Sequence, residues 1–359
     1  MLANVLVKPG LIELREVDTP SPSHGEVLVR VMAAMTCGTD LKAFKRGHPV
    51  IPMPGVFGHE FSGVVACVGK GVRKFREGDE IMAVHSAPCL DCRYCKKKLY
   101  NLCENIMNTK VLGAFSEYVL LPSHIVKQNA FLKPRNISFE EAAFLEPLAC
   151  VIHGMASLRI RSGSTALVIG SGPIGLLHLL LLKSKGSKVA VADKHMKKLQ
   201  TAKELGADYI YRVTENKAPQ YAQQVKGGIS GPGGDPEFIG FDQVFECTGI
   251  PEVWERSAGY VRRGGTVVLF GGCRSGTTVT YETCRLHYDE ITLKGVFHFT
   301  PEDVRQAYEL LRTGNLNVTR LITGAYPLRH VCKAFNRLAK GQGIKYAIIP
   351  SGKVSFKRP

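Results

Sequence analysis

Short apolar runs mark the first part of the chain. Glu26–Met35 is dominated by β-prone apolar residues, and Gly58–Gly69 and Asp79–Val84 are two further runs bounded by glycine and charge. They predict a strand-rich region with Gly and Pro turns. Between Ser138 and Leu158 the period changes: Ser138, with Glu141 three residues on, forms a capping box ahead of a helical run. Regular alternation follows. Thr165–Gly170 reads as a buried strand, Ile174–Lys185 as a helix, Lys188–Asp193 as a strand, and Met196–Leu205 as a helix closed by Gly206. Strands at Asp242–Thr248 and Thr266–Gly271 flank a helix at Pro251–Arg262, which predicts a parallel sheet covered on both faces. Gly227–Gly240 is a Gly/Pro-rich loop, and no internal repeat or low-complexity tract appears. A helix at Pro301–Arg312 and a short strand at Lys345–Pro350 are expected to return to the first part.

The chain has 359 residues, enough for about two domains. Hydrophobic residues at 45% and charged residues at 22% exclude a disordered or fibrous chain. The net charge of +16 leaves nucleic acid, an anionic membrane surface or acidic small ligands as partners. No secretory signal opens the chain, so a cytoplasmic location with reduced thiols is expected. Ser164 to Leu182 carries no formal charge, but Gly170, Gly172, Pro173 and Gly175 would break an apolar helix there, so no membrane span is expected.

The motif Gly170-Ser171-Gly172-Pro173-Ile174-Gly175 lies between a strand and a helix, with Asp193 closing the next strand. Glycines there bring backbone close to a pyrophosphate at a helix N-terminus, and Asp193 accepts from ribose hydroxyls. Asp193 also repels a 2′-phosphate, favouring NAD over NADP, while Lys194, Lys197 and Lys198 leave NADP open. Cys89, Cys92, Cys95 and Cys103 fall as C-x2-C-x2-C-x7-C, a spacing that closes a tetrahedron around structural Zn²⁺ and does not exclude an iron–sulfur cluster. Cys37, His59-Glu60 and Glu146 on separate elements would make an open three-ligand zinc site, or be core residues. The basic residues Arg93 and Lys96 to Lys98 beside the cysteine lobe raise a nucleic-acid reading, but no Cys2His2 pattern or recognition helix follows.

Taken together these segments resemble the zinc-containing medium-chain dehydrogenase/reductase family, in its polyol (sorbitol-type) and threonine dehydrogenase branches. The resemblance rests on Cys37-Gly38-Thr39-Asp40, Gly58-His59-Glu60, the four-cysteine lobe, Glu146-Pro147-Leu148, the glycine fingerprint with Asp193, and Glu246-Cys247-Thr248-Gly249, in the family's order. It implies an α/β protein: a GroES-like β-rich catalytic domain over residues 1–147 and 296–359, with a structural zinc lobe at about 88–104, and an inserted Rossmann doubly wound parallel-sheet domain over 148–295. It implies two Zn²⁺ per chain. The catalytic ion is expected on Cys37, His59 and Glu146 with Glu60 next to it, and the structural ion on Cys89, Cys92, Cys95 and Cys103. Thr39 would begin a proton relay. Gly170, Gly172, Pro173, Ile174, Gly175, Asp193, Lys198, Thr248, Gly271, Val296 and Phe297 would line the NAD. The activity implied is reversible hydride transfer between NAD(H) and a secondary alcohol or ketone: a polyol, sugar alcohol or cyclitol, with threonine or an amino alcohol as the alternative. A dimer or tetramer with no nucleic-acid or membrane partner is implied as well. Two positions depart from the family. Lys42 stands where a histidine ends the relay, and His298 follows Gly295-Val296-Phe297 where sorbitol-type enzymes carry an arginine, so the polyol contacts do not transfer. Lys42, Arg46 and His48, with the net positive charge, suggest a phosphorylated or carboxylated substrate.

Overall fold

The computed structural model describes residues 1–213 and 240–350. The loop expected at 227–240 therefore lies, but for Gly240, outside the described residues. The chain forms two compact units, residues 1–153 with 298–359, and residues 154–297.

In the first unit, strand Val27–Met35 is buried along most of its length and sits at the middle of a mixed sheet. Glu60–Val68 and Tyr118–Leu121 pair with it antiparallel, and Glu80–Val84 and Ala130–Leu132 extend the sheet beyond Glu60–Val68. On the other side Lys345–Ile349 pairs antiparallel with Val27–Met35, Ala347 opposite Met35, and is followed by Ile322–Pro327. The end of the described chain thus returns to its beginning, as the sequence leads one to expect. Phe44, Phe57, Phe115 and Phe335 seal this return, with ring centroids 4.9 to 5.8 Å apart. Phe335 comes from helix Val331–Ala339, whose buried face is Val331, Ala334 and Phe335.

The second unit is a six-stranded, all-parallel sheet in the order Tyr209–Arg212, Lys188–Asp193, Thr165–Ile169, Phe241–Glu246, Val261–Leu269, Thr292–Gly295. Order reverses beside Thr165–Ile169, the switch point where such sheets bind dinucleotides. Ser164 to Leu182 resolves into that strand, a turn and helix Pro173–Ser184. No helix among the described residues is long and apolar enough to cross a membrane.

Three expectations are corrected. The run from Ser138 splits into Phe139–Ala142, with the capping box formed, and Leu145–Met155. The helix from Pro251 stops at Ser257 rather than Arg262, and a strand begins at Val261. Tyr260 and Val261 are buried and Val261 pairs with Phe241, so sheet pairing and burial override the helical pattern. The pattern predicts no helix after Met35, yet one forms at Gly38–Arg46.

His178 illustrates how tightly this second core is closed. Its imidazole is fully buried beside Phe245 and Phe270. Nδ1 lies 3.0 Å from the Ile174 carbonyl, which can only accept, so the ring proton belongs on Nδ1. Nε2 has no hydrogen-bond partner among the described residues. A second proton would place a charge there in apolar surroundings, and burial pushes the pKa down to about 4. Between the ordinary value near 6.5 and about 4 the unfolded chain binds the extra proton and the folded chain does not. Stability therefore falls as pH drops through that window, by up to ~3 kcal/mol. His178→Phe should keep the ring packing and flatten the loss of Tm between pH 7 and pH 4.5; an unchanged pH slope would refute this.

Candidate active site

The cysteine lobe is the most self-contained part of the site. Cys89, Cys92, Cys95 and Cys103 bring their sulfurs within 4.8 Å of one another. Cys89 sulfur accepts from the Cys92 N–H at 3.4 Å, and Cys103 sulfur from the Cys89 N–H at 3.3 Å. Backbone N–H groups of Asp91 and Cys92 pull the Cys89 thiol down to about 6, whereas burial pushes Cys95 up to about 12. The lobe includes a single helical turn, Arg93–Lys96. Four converging soft donors fit a closed tetrahedral zinc site.

A second cluster lies at the end of the central strands of the mixed sheet. Cys37 follows strand Val27–Met35 and caps helix Gly38–Arg46, its sulfur accepting from the Thr39 N–H at 3.4 Å. Gly58 turns the chain into His59 with φ +88°, and a Cβ there would stand 2.7 Å from the Phe115 ring, so only glycine fits. Glu60 then opens its strand. One ligand atom each from Cys37, His59 and Glu60 lies within 4.8 Å of the others. His59 Nδ1 faces the buried Asp40 carboxylate at 3.3 Å, leaving Nε2 for a ligand role. Burial alone would lower the His59 pKa, but Asp40 and Cys37 outweigh it and raise it. Burial pushes the Glu60 carboxyl up to about 7 against the opposing pull of the Lys345 ammonium. The thiol, imidazole and carboxylate set fits zinc with a position left open.

Glu146, second in helix Leu145–Met155, is not part of that trio but stands beside it. The His85 Nδ1 lies 3.6 Å from Glu146 Oε1, and the Cys150 thiol donates to the same oxygen at 3.6 Å. Burial raises the Glu146 carboxyl. The His85 ring lies 5.0 Å from that of His59 and 5.3 Å from that of His298. His298, at φ +63°, shares a 2.6 Å hydrogen bond with the Ser86 hydroxyl. Burial holds His298 down to about 3 and His85 well below the ordinary range, so both rings are neutral. Sequence reasoning gave no role to His85, Cys150 or Lys345, and named Asp40 only as part of the Cys37-Gly38-Thr39-Asp40 motif. Asp40, three residues beyond Cys37, carried a local signal: a carboxylate in the first turn of the helix that Cys37 caps.

In the second unit the glycine turn has the predicted form. A Cβ on Gly175 would stand 1.9 Å from the Gly170 carbonyl, whereas Gly172 has nothing within 4 Å of such an atom, leaving room at the N-terminus of helix Pro173–Ser184. The Asp193 oxygens accept from the Ser171 N–H at 2.7 Å and the His195 N–H at 2.8 Å, tying the turn to the next strand. Lys198 is half-buried beside it, its pKa lowered by burial against the pull of Asp193. Thr248 donates to the buried Glu246, and a Cβ on Gly271 would strike the Gly249 nitrogen and Glu246. Val296 is half-buried and Phe297 exposed.

Residues 23–130 match the alcohol dehydrogenase GroES-like domain and residues 173–313 the zinc-binding dehydrogenase domain. Sorbitol dehydrogenase of Bos taurus is 32% identical over 97% of this chain and 95% of its own length. The chain belongs to the zinc-containing medium-chain dehydrogenase/reductase family. Within that family it falls in the polyol dehydrogenase branch, and it is a zinc-dependent oxidoreductase acting on a small-molecule alcohol. D-arabinitol dehydrogenase 1 of Uromyces fabae is 31% identical over 98% of this chain and 97% of its own. Among solved members of the family, a zinc-binding dehydrogenase from Sinorhizobium meliloti bound to NADP superposes with a TM-score of 0.84, at 32% identity over 97% of this chain and 99% of that one.

Proposed function

We propose that the chain oxidises a secondary hydroxyl of an uncharged polyol, sugar alcohol or cyclitol with NAD, reversibly, using Cys37, His59, Glu60 and Glu146 around one zinc and Cys89, Cys92, Cys95 and Cys103 around another. The observation that carries this reading is the convergence of Cys37, His59 and Glu60 within 4.8 Å, with His59 oriented by buried Asp40. When bound, zinc supplies the Lewis acidity that lowers a hydroxyl's pKa, and the dinucleotide supplies the hydride acceptor. Thr39, in the first turn of its helix, would be the first hydroxyl of the relay, accepting the departing proton as it passes its own on towards solvent. Asp40 fixes the His59 tautomer, and the Cys150 thiol anchors Glu146 by a hydrogen bond. The neutral His85, His298 and Ser86 group offers hydrogen bonds without charge, which suits hydroxyls better than a phosphate. Asp193 favours NAD because its carboxylate would repel a 2′-phosphate. A homo-oligomer in the cytoplasm completes the reading.

The test is a screen of polyols, their phosphates, cyclitols and amino alcohols by NADH and NADPH absorbance, with metal analysis on the same sample. Two zinc per chain and turnover of a neutral polyol with NAD are expected. One zinc or fewer, or turnover of none of these compounds, would refute it.

A further inference from the structure

The Lys345 side chain is among the most deeply buried charged groups of the described chain, 1% exposed. Burying an ammonium costs several kcal/mol unless it is paired, and its contacts are specific. Nζ is in close contact with Glu60 Oε2, donates to the Thr36 carbonyl at 2.9 Å, and lies 5.6 Å from the centre of the Phe144 ring. The strand that carries it is pinned at the same place. The Tyr346 N–H donates to Thr36 Oγ1 at 2.9 Å, and the Thr36 N–H donates to the Tyr346 carbonyl at 3.0 Å. Lys345 is thus fixed against the residue before Cys37 and reaches across to a carboxylate that also faces Cys37 and His59.

We propose that Lys345 is a positioning residue for the metal centre: its ammonium holds one oxygen of Glu60, so the carboxylate cannot turn both oxygens onto the ion and close the coordination sphere. This rests on the reading that Cys37, His59 and Glu60 ring a zinc. Glu60 and Glu146 are both buried, and among the described residues Lys345 is the lysine or arginine recorded in an ion pair with either. Without it, the uncompensated Glu60 charge has the metal as its nearest remaining cation. The opposite change, an arginine, offers a planar fork that takes both carboxylate oxygens and draws Glu60 off the ion.

The full-length chain is loaded with cobalt(II) in place of zinc, and its d–d bands and release to a pyridylazo chelator are followed for the wild type, Lys345→Met and Lys345→Arg. Lys345→Met should shift the bands towards higher coordination and slow release from this site by about tenfold. Lys345→Arg should speed it by a similar factor, within the 10- to 100-fold range typical of groups that orient metal ligands. A residue that merely fills the core would loosen the metal in both variants. Release changing in the same direction in both, or wild-type bands in a folded Lys345→Met, would overturn the proposal. Should Lys345→Met fail to fold, unchanged release from Lys345→Arg overturns it alone. A wild type that takes up cobalt only at the cysteine lobe sinks the metal-centre reading itself, and this inference with it.

Discussion

His59→Ala should leave the chain holding one zinc instead of two and reduce kcat/KM by about 10³-fold or more. The metal contributes several kcal/mol of charge stabilisation at the reacting oxygen, and each 1.36 kcal/mol is tenfold in rate. The site has little to compensate with. Removing the ring strands the buried Asp40 carboxylate, whose recorded ion-pair partner is His59, among residues that include Glu60 and Glu146. Metal analysis with steady-state kinetics reads this directly. Two zinc retained with undiminished turnover would show that the ion sits elsewhere. Asp40→Asn should be milder, at 10- to 100-fold, because the ligand remains and only its orientation is loosened.

Cys95→Ser should release the other zinc and melt the lobe around it. Little else holds that segment: its apolar contacts are Cys95, Cys103 and Ile106, with Tyr100, Met107 and Cys92 partly buried beside them. A core of that size does not sustain a fold without a metal or a cross-link. Structural zinc contributes roughly 10 kcal/mol or more in isolated zinc-finger peptides, so a large share of the lobe's order depends on it. Hydrogen exchange over residues 89–107 should rise to near-unprotected rates, while the parallel sheet at 165–169 and 188–193 keeps its protection. Unchanged exchange in the lobe would refute a structural ion there.

The lobe was readable in the sequence because its four donors are nearly contiguous and need no tertiary knowledge to be grouped. The parallel sheet was readable for a similar reason. Ala166–Ile169 and Val189–Ala192 are continuous apolar runs, and the glycine turn between strand and helix has one steric meaning. Elsewhere the pattern ran out where distant segments decide. Val261 belongs to a strand because Phe241 is its neighbour, which no local period contains. Cys37, His59 and Glu146 were grouped by family resemblance rather than by spacing. The groups that position them were not grouped at all. His85 reads as an ordinary residue after a strand, and Cys150 as a small apolar thiol. Lys345 opens the terminal strand, a position with no chemical signal of its own. His85 and Lys345 acquire their places through contacts with residues far away in the chain, and Cys150 through Glu146 four residues before it.

The pairing of Lys345–Ile349 with Val27–Met35 joins the two ends of the described chain, and the hydrogen bond from Lys345 to Thr36 beside it spans 309 positions. During synthesis, everything needed by the 154–297 unit has emerged before the last strands of the first unit exist. The parallel sheet can therefore fold while the β-rich unit still waits for its final strands and for the helix carrying Phe335. Its central strand, Val27–Met35, spends that interval with the Ala34–Met35 end of one edge unpaired, because Tyr118–Leu121 covers only Val27–Arg30 of that edge. Loss of that edge's partner, by truncation before residue 345, leaves an apolar template open to other chains.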